Sequence, residues 1–136
     1  MSKQEIRDES KESEGNPQIK SQIRRLQRAL LRRQMMKEVA TATAVVVNPT
    51  HFAVAIRYKM ESMSAPVVVA KGKNYLALRI RMRAVENMVP IIENPPLAQA
   101  LYKSVDVGQE IPASFYRAIA EILAYIYKLQ NPRRPN

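Results

Sequence analysis

The sequence predicts an α/β fold: a small mixed four-stranded sheet packed by about four helices and preceded by a long N-terminal helix or linker. The main observation is that short apolar runs, largely β-branched, alternate with longer segments whose apolar residues recur at helical spacing. The second is length, because 136 residues suffice for one domain with a modest core. No internal repeat is visible, so a single domain is expected.

The chain opens with residues 1–16, which are polar and are expected to form a flexible linker. A helix is predicted from Pro17 to about Ala40, with an apolar stripe at spacings i, i+4, i+7 and i+11: Ile19, Ile23, Leu26 and Leu30. A second stripe is basic: Arg24, Arg28 and Arg32, with Arg25 and Arg33 beside it. This basic face is either a solvated surface or a contact for lipid headgroups or other proteins.

Two strands are predicted next. Thr43–Val47 is apolar without alternation, which is typical of a central strand buried on both faces. In residues 52–58 the side chains alternate in size. The bulky face holds Phe52, Val54, Ile56 and Tyr58, and the slim face holds Ala53, Ala55 and Arg57. Because small side chains leave room, a helix is expected to pack closely on the slim face.

A βαβ crossover is predicted after a loop at residues 59–66. Its third strand covers Val67–Ala70, and its helix starts at Asn74 and ends near Met88. The inward face of this helix is expected to contain Ala77, Ile80, Ala84 and Met88. Residues 89–93 form a short fourth strand, and the proline within them indicates a strand start or an edge position.

Two helices complete the predicted domain. Pro95-Pro96 opens a short one, since proline is tolerated in a first helical turn. The last runs from about Ser114 to Leu129 and should be the main cover of the sheet, through an apolar stripe of Phe115, Ile119, Ile122 and Ile126. Residues 131–136 are expected to be a disordered tail.

Composition excludes several kinds of site. The chain has no cysteine, hence no disulfide or thiolate metal ligand, and its single histidine and few clustered carboxylates make a metal unexpected. Lys71-Gly72-Lys73 lacks the earlier glycine and the following Ser or Thr of a phosphate-binding loop, so nucleotide binding is rejected. No cofactor is expected. No apolar run approaches the roughly 20 residues that cross a bilayer. The net charge of +10 suits nucleic acid or an anionic membrane surface.

The first two strands are separated by Asn48-Pro49-Thr50-His51, a turn sequence with its own chemistry. Ordinary asparagine degradation uses the next residue's backbone N–H, which Pro49 lacks. The side-chain amide of Asn48 can still attack its own main-chain carbonyl, which closes a succinimide and expels the nitrogen of Pro49. That nitrogen needs a proton, and His51, the only histidine, is the candidate carrier. Thr50 is expected to support the turn by hydrogen bonding.

An inert turn is the alternative interpretation, because Asn-Pro is a common turn dipeptide. The chain contains three other copies, none followed by Thr-His: Asn16-Pro17, Asn94-Pro95 and Asn131-Pro132. From the residues alone, both an inert turn and self-cleavage stay open.

The tetrapeptide Asn48-Pro49-Thr50-His51 resembles the motif of the FlhB/YscU family, the export-apparatus switch proteins of flagellar and type III secretion systems. Further segments resemble family patterns in the same order: Ser13-Glu14-Gly15-Asn16-Pro17, Met63-Ser64-Ala65-Pro66, Val68-Val69-Ala70-Lys71-Gly72, Pro95-Pro96-Leu97-Ala98 and Gln109-Glu110-Ile111-Pro112. The set covers nearly the whole chain and is closer to the flagellar than to the injectisome branch. One departure is Asn74, where many members have glycine.

The resemblance implies a domain, residues 17–130, that cleaves itself once into fragments 17–48 and 49–130. Its catalytic residues would be Asn48, Pro49, Thr50 and His51. Because the reaction is single-turnover, the protein is not an enzyme in the usual sense. The family role is substrate-specificity switching in protein export, as the cytoplasmic domain of a bacterial inner-membrane protein whose membrane half precedes residues 1–16. The implied partners are other export-apparatus proteins, export substrates and a length-ruler protein.

Substrate docking is expected where apolar residues lie outside the periodic stripes: Ala65, Pro66, Pro95, Pro96 and Leu97. The alternative function is a basic nucleic-acid-binding α/β domain, although no aromatic stacking platform accompanies the basic residues, so no nucleic acid is expected. A multi-turnover hydrolase is a further possibility, but the chain has no nucleophile-base-acid set beyond the turn.

Overall fold

A computed structural model describes residues 15–49 and 51–131. The elements are α1 (Pro17–Val39), β1 (Ala44–Asn48), β2 (Phe52–Arg57), β3 (Val67–Lys73), α2 (Tyr75–Glu86), β4 (Ile91–Glu93), α3 (Pro95–Ser104) and α4 (Tyr116–Gln130), with a 3-10 turn at Ala113–Phe115. Most of the predicted linker, Thr50 and residues 132–136 of the predicted tail lie outside the described residues. Within the described part, no helix combines the length and hydropathy that a membrane span requires.

The chain divides into two compact units, residues 1–34 and 35–136. In the first, Asn16 starts α1 by accepting a 2.8 Å hydrogen bond from the backbone N–H of Gln18 to its side-chain oxygen. The predicted apolar stripe of this unit is exposed at Ile23, Leu26 and Leu30. The boundary therefore falls inside α1, where the helix first buries side chains.

The second unit contains the sheet, with strand order β3-β2-β1-β4. β1 and β2 are antiparallel, β2 and β3 are antiparallel, and β4 is parallel to β1. The predicted mixed sheet is therefore confirmed, with β1 central and β4 at an edge. Helix α2 crosses from one edge of the sheet to the other, since it connects β3 to β4.

Helices cover both faces of the sheet. One core lies between the sheet and α3 and α4, and contains Val46, Val54, Ile56, Leu97, Leu101, Ile119, Ile122 and Ile126. The other lies between the sheet, α2 and the end of α1, and contains Met35, Val39, Val45, Val47, Ala53, Ala55, Ala77, Ile80 and Ala84. Alternate residues of β1 enter opposite cores, which confirms that this strand is buried on both faces.

The slim face of β2 lies under α2, as predicted. Ala53 and Ala55 pack in the same core as Ala77 and Ala84 of the helix. The approach is tight at Gly72 of β3, where an added Cβ would lie 2.6 Å from the Cγ of Leu76. Small residues on both elements thus bring α2 close to the strands that flank the Asn-Pro turn.

Three predicted boundaries are wrong. β3 extends to Lys73 rather than ending at Ala70, because the ladder continues and pairs Phe52 with Lys73. The charged Lys71 is accommodated since its ammonium donates to the carbonyls of Tyr102 and Val105 at the end of α3.

The end of α2 also differs from the prediction. Met88 was expected to face inward, but the helix ends at Glu86 and Met88 adopts φ 58° with 91% of its surface exposed. The chain reverses there, so Val89 is buried instead. Strand β4 consequently begins only at Ile91.

Candidate functional site

The Asn-Pro turn joins the two central strands. Asn48 is the last residue of β1 and pairs with Phe52, the first residue of β2. Asn48 is partly buried, whereas Pro49 and His51 are exposed. The turn therefore presents its proline and histidine to solvent while its asparagine is anchored in the sheet.

Neighbouring elements hold the backbone of this turn. The carbonyl of Val47 accepts a hydrogen bond of 3.0 Å from the N–H of Asn94, at the start of α3. The carbonyl of His51 accepts one of 2.9 Å from the N–H of Asn74, at the start of α2. The turn is thus fixed at both ends, which favours an intramolecular reaction by limiting the geometries that it samples.

Arg81 of α2 makes a further contact with the turn. Its Nη1 donates to the Pro49 carbonyl at 3.4 Å, and its buried Nε has no acceptor among the described residues. A cation is therefore held directly beside the residue whose nitrogen would leave.

The main-chain carbonyl of Asn48 is the predicted electrophile. Its oxygen accepts a 3.0 Å hydrogen bond from the N–H of His51, which closes the turn. If the carbonyl carbon is attacked, negative charge develops on this oxygen, and a donor that is already in place stabilises that charge.

The side chain of Asn48 is the predicted nucleophile. Within the described part of the chain it makes no hydrogen bond, whereas the other asparagines that precede proline all do. Asn16 accepts from the N–H of Gln18, Asn94 accepts from the N–H of Leu97, and Asn131 donates to the carbonyl of Tyr127. Those three side chains are engaged at helix ends, whereas the side chain of Asn48 has no partner among the described residues.

The imidazole of His51 is exposed, and its ring centroid lies 6.3 Å from that of Phe52. No hydrogen bond joins this imidazole to another described residue, so the structure brings the backbone of His51, and not its ring, onto the Asn48 carbonyl. Its role as proton carrier stays a prediction. Thr50, also predicted to act in the turn, lies outside the described residues.

Sequence reasoning missed the contacts of Asn74, Arg81 and Asn94 with the turn. Asn74 was predicted to cap α2, and it does occupy that position, but its side chain makes no capping hydrogen bond. Its φ of 55° lies in the region that favours glycine, which explains why glycine suits this position. That departure from the family pattern was the one available signal.

Three of the five predicted docking residues are buried, although all five were expected to be exposed. Ala65 is only 5% exposed, and Pro66 and Leu97 are also buried, whereas Pro95 and Pro96 are exposed at the start of α3. A shallow, mainly apolar cavity of about 180 Å³ has Pro66, Tyr116 and Leu123 in its lining. Of the five predicted residues, only Pro66 lines this cavity.

Comparison with known proteins places these features. A model of the FlhB, HrpN, YscU and SpaS family matches residues 1–126. The flagellar biosynthetic protein FlhB of Escherichia coli is 53% identical over 133 residues, and that of Yersinia enterocolitica is 52% identical over 134. Each match covers 98% of this chain and 35% of the relative, so the chain spans about a third of these proteins.

Solved structures agree with the fold. The cytoplasmic domain of FlhB from Shewanella putrefaciens superimposes with a TM-score of 0.70 at 39% identity, over 77% of this chain and 84% of that one. A mutated EscU C-terminal domain gives 0.65 at 33% identity, over 67% and 91%. The solved structures that it resembles are a C-terminal domain and a cytoplasmic domain of such proteins. The chain therefore belongs to the FlhB, HrpN, YscU and SpaS family of export-apparatus proteins.

Proposed function

We propose that this domain cleaves its own backbone once, between Asn48 and Pro49, and thereafter acts in substrate-specificity switching and substrate docking in flagellar or type III protein export. The observation that carries the proposal is the side chain of Asn48, which has no hydrogen-bond partner among the described residues while the three comparable asparagines are engaged. The cleavage is single-turnover, so the domain is not an enzyme in the usual sense.

Breaking the bond between Asn48 and Pro49 needs no reactant other than the chain itself. The Nδ2 of Asn48 attacks its own main-chain carbonyl carbon, and the bond from that carbon to the nitrogen of Pro49 breaks. Nδ2 loses one proton and the proline nitrogen gains one, which the imidazole of His51 transfers. The His51 N–H stabilises the oxyanion through its 3.0 Å hydrogen bond. Water later opens the succinimide at the new carboxyl end.

The fold supports an association of fragments that survives the cut. β1 would belong to the N-terminal fragment, yet it pairs with β2 and β4 of the C-terminal one. The cores on both sides of the sheet also contain residues from both fragments. Cleavage therefore frees the turn while the sheet remains whole.

Substrate docking is proposed at the cavity beside Pro66, which is apolar and open to solvent. Since Ala65 is buried, replacing Ala65 and Pro66 together with polar residues is expected to lower thermal stability as well as binding. The location proposed for the domain is the cytoplasmic side of a bacterial inner membrane, which the cytoplasmic FlhB domain from Shewanella supports. The proposed partners are other export-apparatus proteins, export substrates and a length-ruler protein. The relatives give the nucleic-acid alternative no support.

Size exclusion followed by a denaturing gel tests the proposal. We expect one native peak that separates into two bands only after denaturation. A single full-length band after prolonged incubation would overturn self-cleavage, and two native peaks would overturn the association of fragments.

A further inference from the structure

Helix α2 has two apolar faces, and only one of them is used by the core. Small residues, Ala77 and Ala84, face the sheet together with Ile80. The large apolar side chains are exposed on the other side: Tyr75 by 74%, Leu78 by 48%, Met82 by 55% and Val85 by 65%. We call these four residues the α2 outer stripe. A stripe of this kind on a helix already anchored to its own domain indicates a contact with another molecule.

The spacing of the α2 outer stripe indicates what kind of surface it matches. Its members follow one another at intervals of three, four and three residues, the pattern of a helix–helix seam. The stripe is narrow, because Arg79 and Arg83 border it on one side and Arg81 borders it on the other. The carboxylate on this helix, Glu86, lies 3.7 Å from Arg83 and is already paired with it. The stripe is therefore apolar with a basic border.

We propose that the α2 outer stripe binds an amphipathic helix of a partner protein, one whose own apolar stripe is bordered by acidic residues. Apolar side chains would supply the buried contact. Arg79 would select the acidic border, whereas Arg83 is already paired with Glu86 and donates to the Met36 carbonyl. A second copy of this chain is a poorer match, because its arginines would face these arginines. A membrane surface is also a poorer match, since helices that lie in lipid present a wide apolar face and a solvated opposite face, whereas the opposite face of α2 is packed on the sheet.

Helix α2 also lies against the Asn-Pro turn. Asn74 at its start donates to the His51 carbonyl, and Arg81 donates to the Pro49 carbonyl, so the helix contacts the Asn-Pro turn at two points. A partner helix on the outer stripe would therefore bind next to the turn. Binding at this stripe does not require cleavage of the chain.

The test uses two synthetic peptides of three heptads, each with leucine at the two core positions of every heptad. One carries glutamate at the flanking positions and the other carries lysine. Binding to the whole chain is measured by fluorescence anisotropy. The double variant Leu78→Glu with Met82→Glu is compared with a matched control on α4, Tyr125→Glu with Leu129→Glu, whose side chains are similarly exposed.

We expect the wild-type chain to bind the glutamate peptide at least about tenfold more tightly than the lysine peptide. The α2 variant should lose roughly tenfold or more, and the α4 control less than about twofold, with unchanged melting curves for both. Equal binding of the two peptides would overturn the proposal without any variant. Two other outcomes would also overturn the proposal if neither peptide binds. One is self-association of the chain that depends on Leu78 and Met82, and the other is binding to phosphatidylglycerol vesicles that depends on the same two residues. A gel of the same samples scores self-cleavage separately.

Discussion

Two Asn-Pro pairs lie side by side at one end of the sheet, and they use the same two residues differently. Asn48-Pro49 follows β1 and Asn94-Pro95 follows β4, the strand parallel to it, and the N–H of Asn94 donates to the carbonyl of Val47. Asn94 caps α3 by accepting from the N–H of Leu97 at 3.2 Å. Asn48 caps nothing, because a strand follows its proline after the turn.

The two Asn-Pro pairs differ in the asparagine side chain and not in the asparagine carbonyl. Both asparagine carbonyls accept a backbone hydrogen bond, that of Asn48 from His51 at 3.0 Å and that of Asn94 from Ala98 at 2.9 Å. Polarisation of the carbonyl is therefore common to the two sites. They differ in the side chain, which is engaged at Asn94 and has no partner among the described residues at Asn48. Availability of the nucleophile, rather than the dipeptide, should decide where the chain breaks.

The largest effect on cleavage is expected when Asn48 is replaced by alanine, and Asn94→Ala is the matched control. Asn48→Ala removes the nucleophile and should abolish cleavage, leaving one band on a denaturing gel. Asn94→Ala should leave cleavage unchanged and lower the free energy of unfolding by about 1 kcal/mol, since a helix cap is lost. Cleavage that persists in Asn48→Ala would rule out the cyclisation mechanism.

The next largest effect is expected at His51. Replacement by alanine removes the proton carrier but keeps the backbone N–H that binds the Asn48 carbonyl, so cleavage should slow by on the order of 10²-fold and be incomplete after purification. Thr50→Ala should slow it less. The measurement is a time course of fragment formation, and a wild-type rate in His51→Ala would mean that this side chain is not the proton carrier.

The two prolines should also differ. Pro49→Ala relaxes the extended preference of Asn48 and restores an N–H that allows ordinary deamidation, so cleavage should slow about five- to tenfold, for the roughly 1 kcal/mol that a proline restriction contributes. Mass spectrometry should then find Asp or isoAsp at position 48. Pro95→Ala is the matched control and should cleave normally, and equal slowing in both variants would point to a general loss of structure.

The smallest effect is expected at Arg81. Arg81→Gln weakens the 3.4 Å contact with the Pro49 carbonyl, and we expect cleavage to slow by roughly two- to tenfold, as for the loss of one hydrogen bond. Arg79→Gln on the same helix is the control and should have no effect. If both variants slow cleavage equally, the charge of the helix matters and the individual contact does not.

The central strands and the turn were predictable because local patterns specify them. The uninterrupted run before Asn48 and the alternation after Phe52 gave the right strands and the right buried faces. The turn contacts of Asn74 and Arg81 were not predictable, since packing brings together residues that lie more than twenty positions apart.

Loop burial and helix ends were the other features that the sequence did not determine. Small apolar residues such as Ala65 occur in buried and in exposed loops alike, and only the tertiary packing decides between them. Met88 continued the helical spacing of Ala77, Ile80 and Ala84, but the chain leaves the helix two residues before it. Periodicity predicts a face reliably only while the helix lasts.

Intact mass of the denatured wild-type chain tests the central claim most directly. Cleavage at Asn48 divides the 15.5 kDa chain into pieces of 48 and 88 residues, about 5.5 and 10 kDa in proportion to length. We predict a larger piece that begins with Pro49 and a smaller one that ends in Asn48, part of it lighter by one water as the succinimide. A single intact mass, or a break at Asn94-Pro95 instead, would contradict the account.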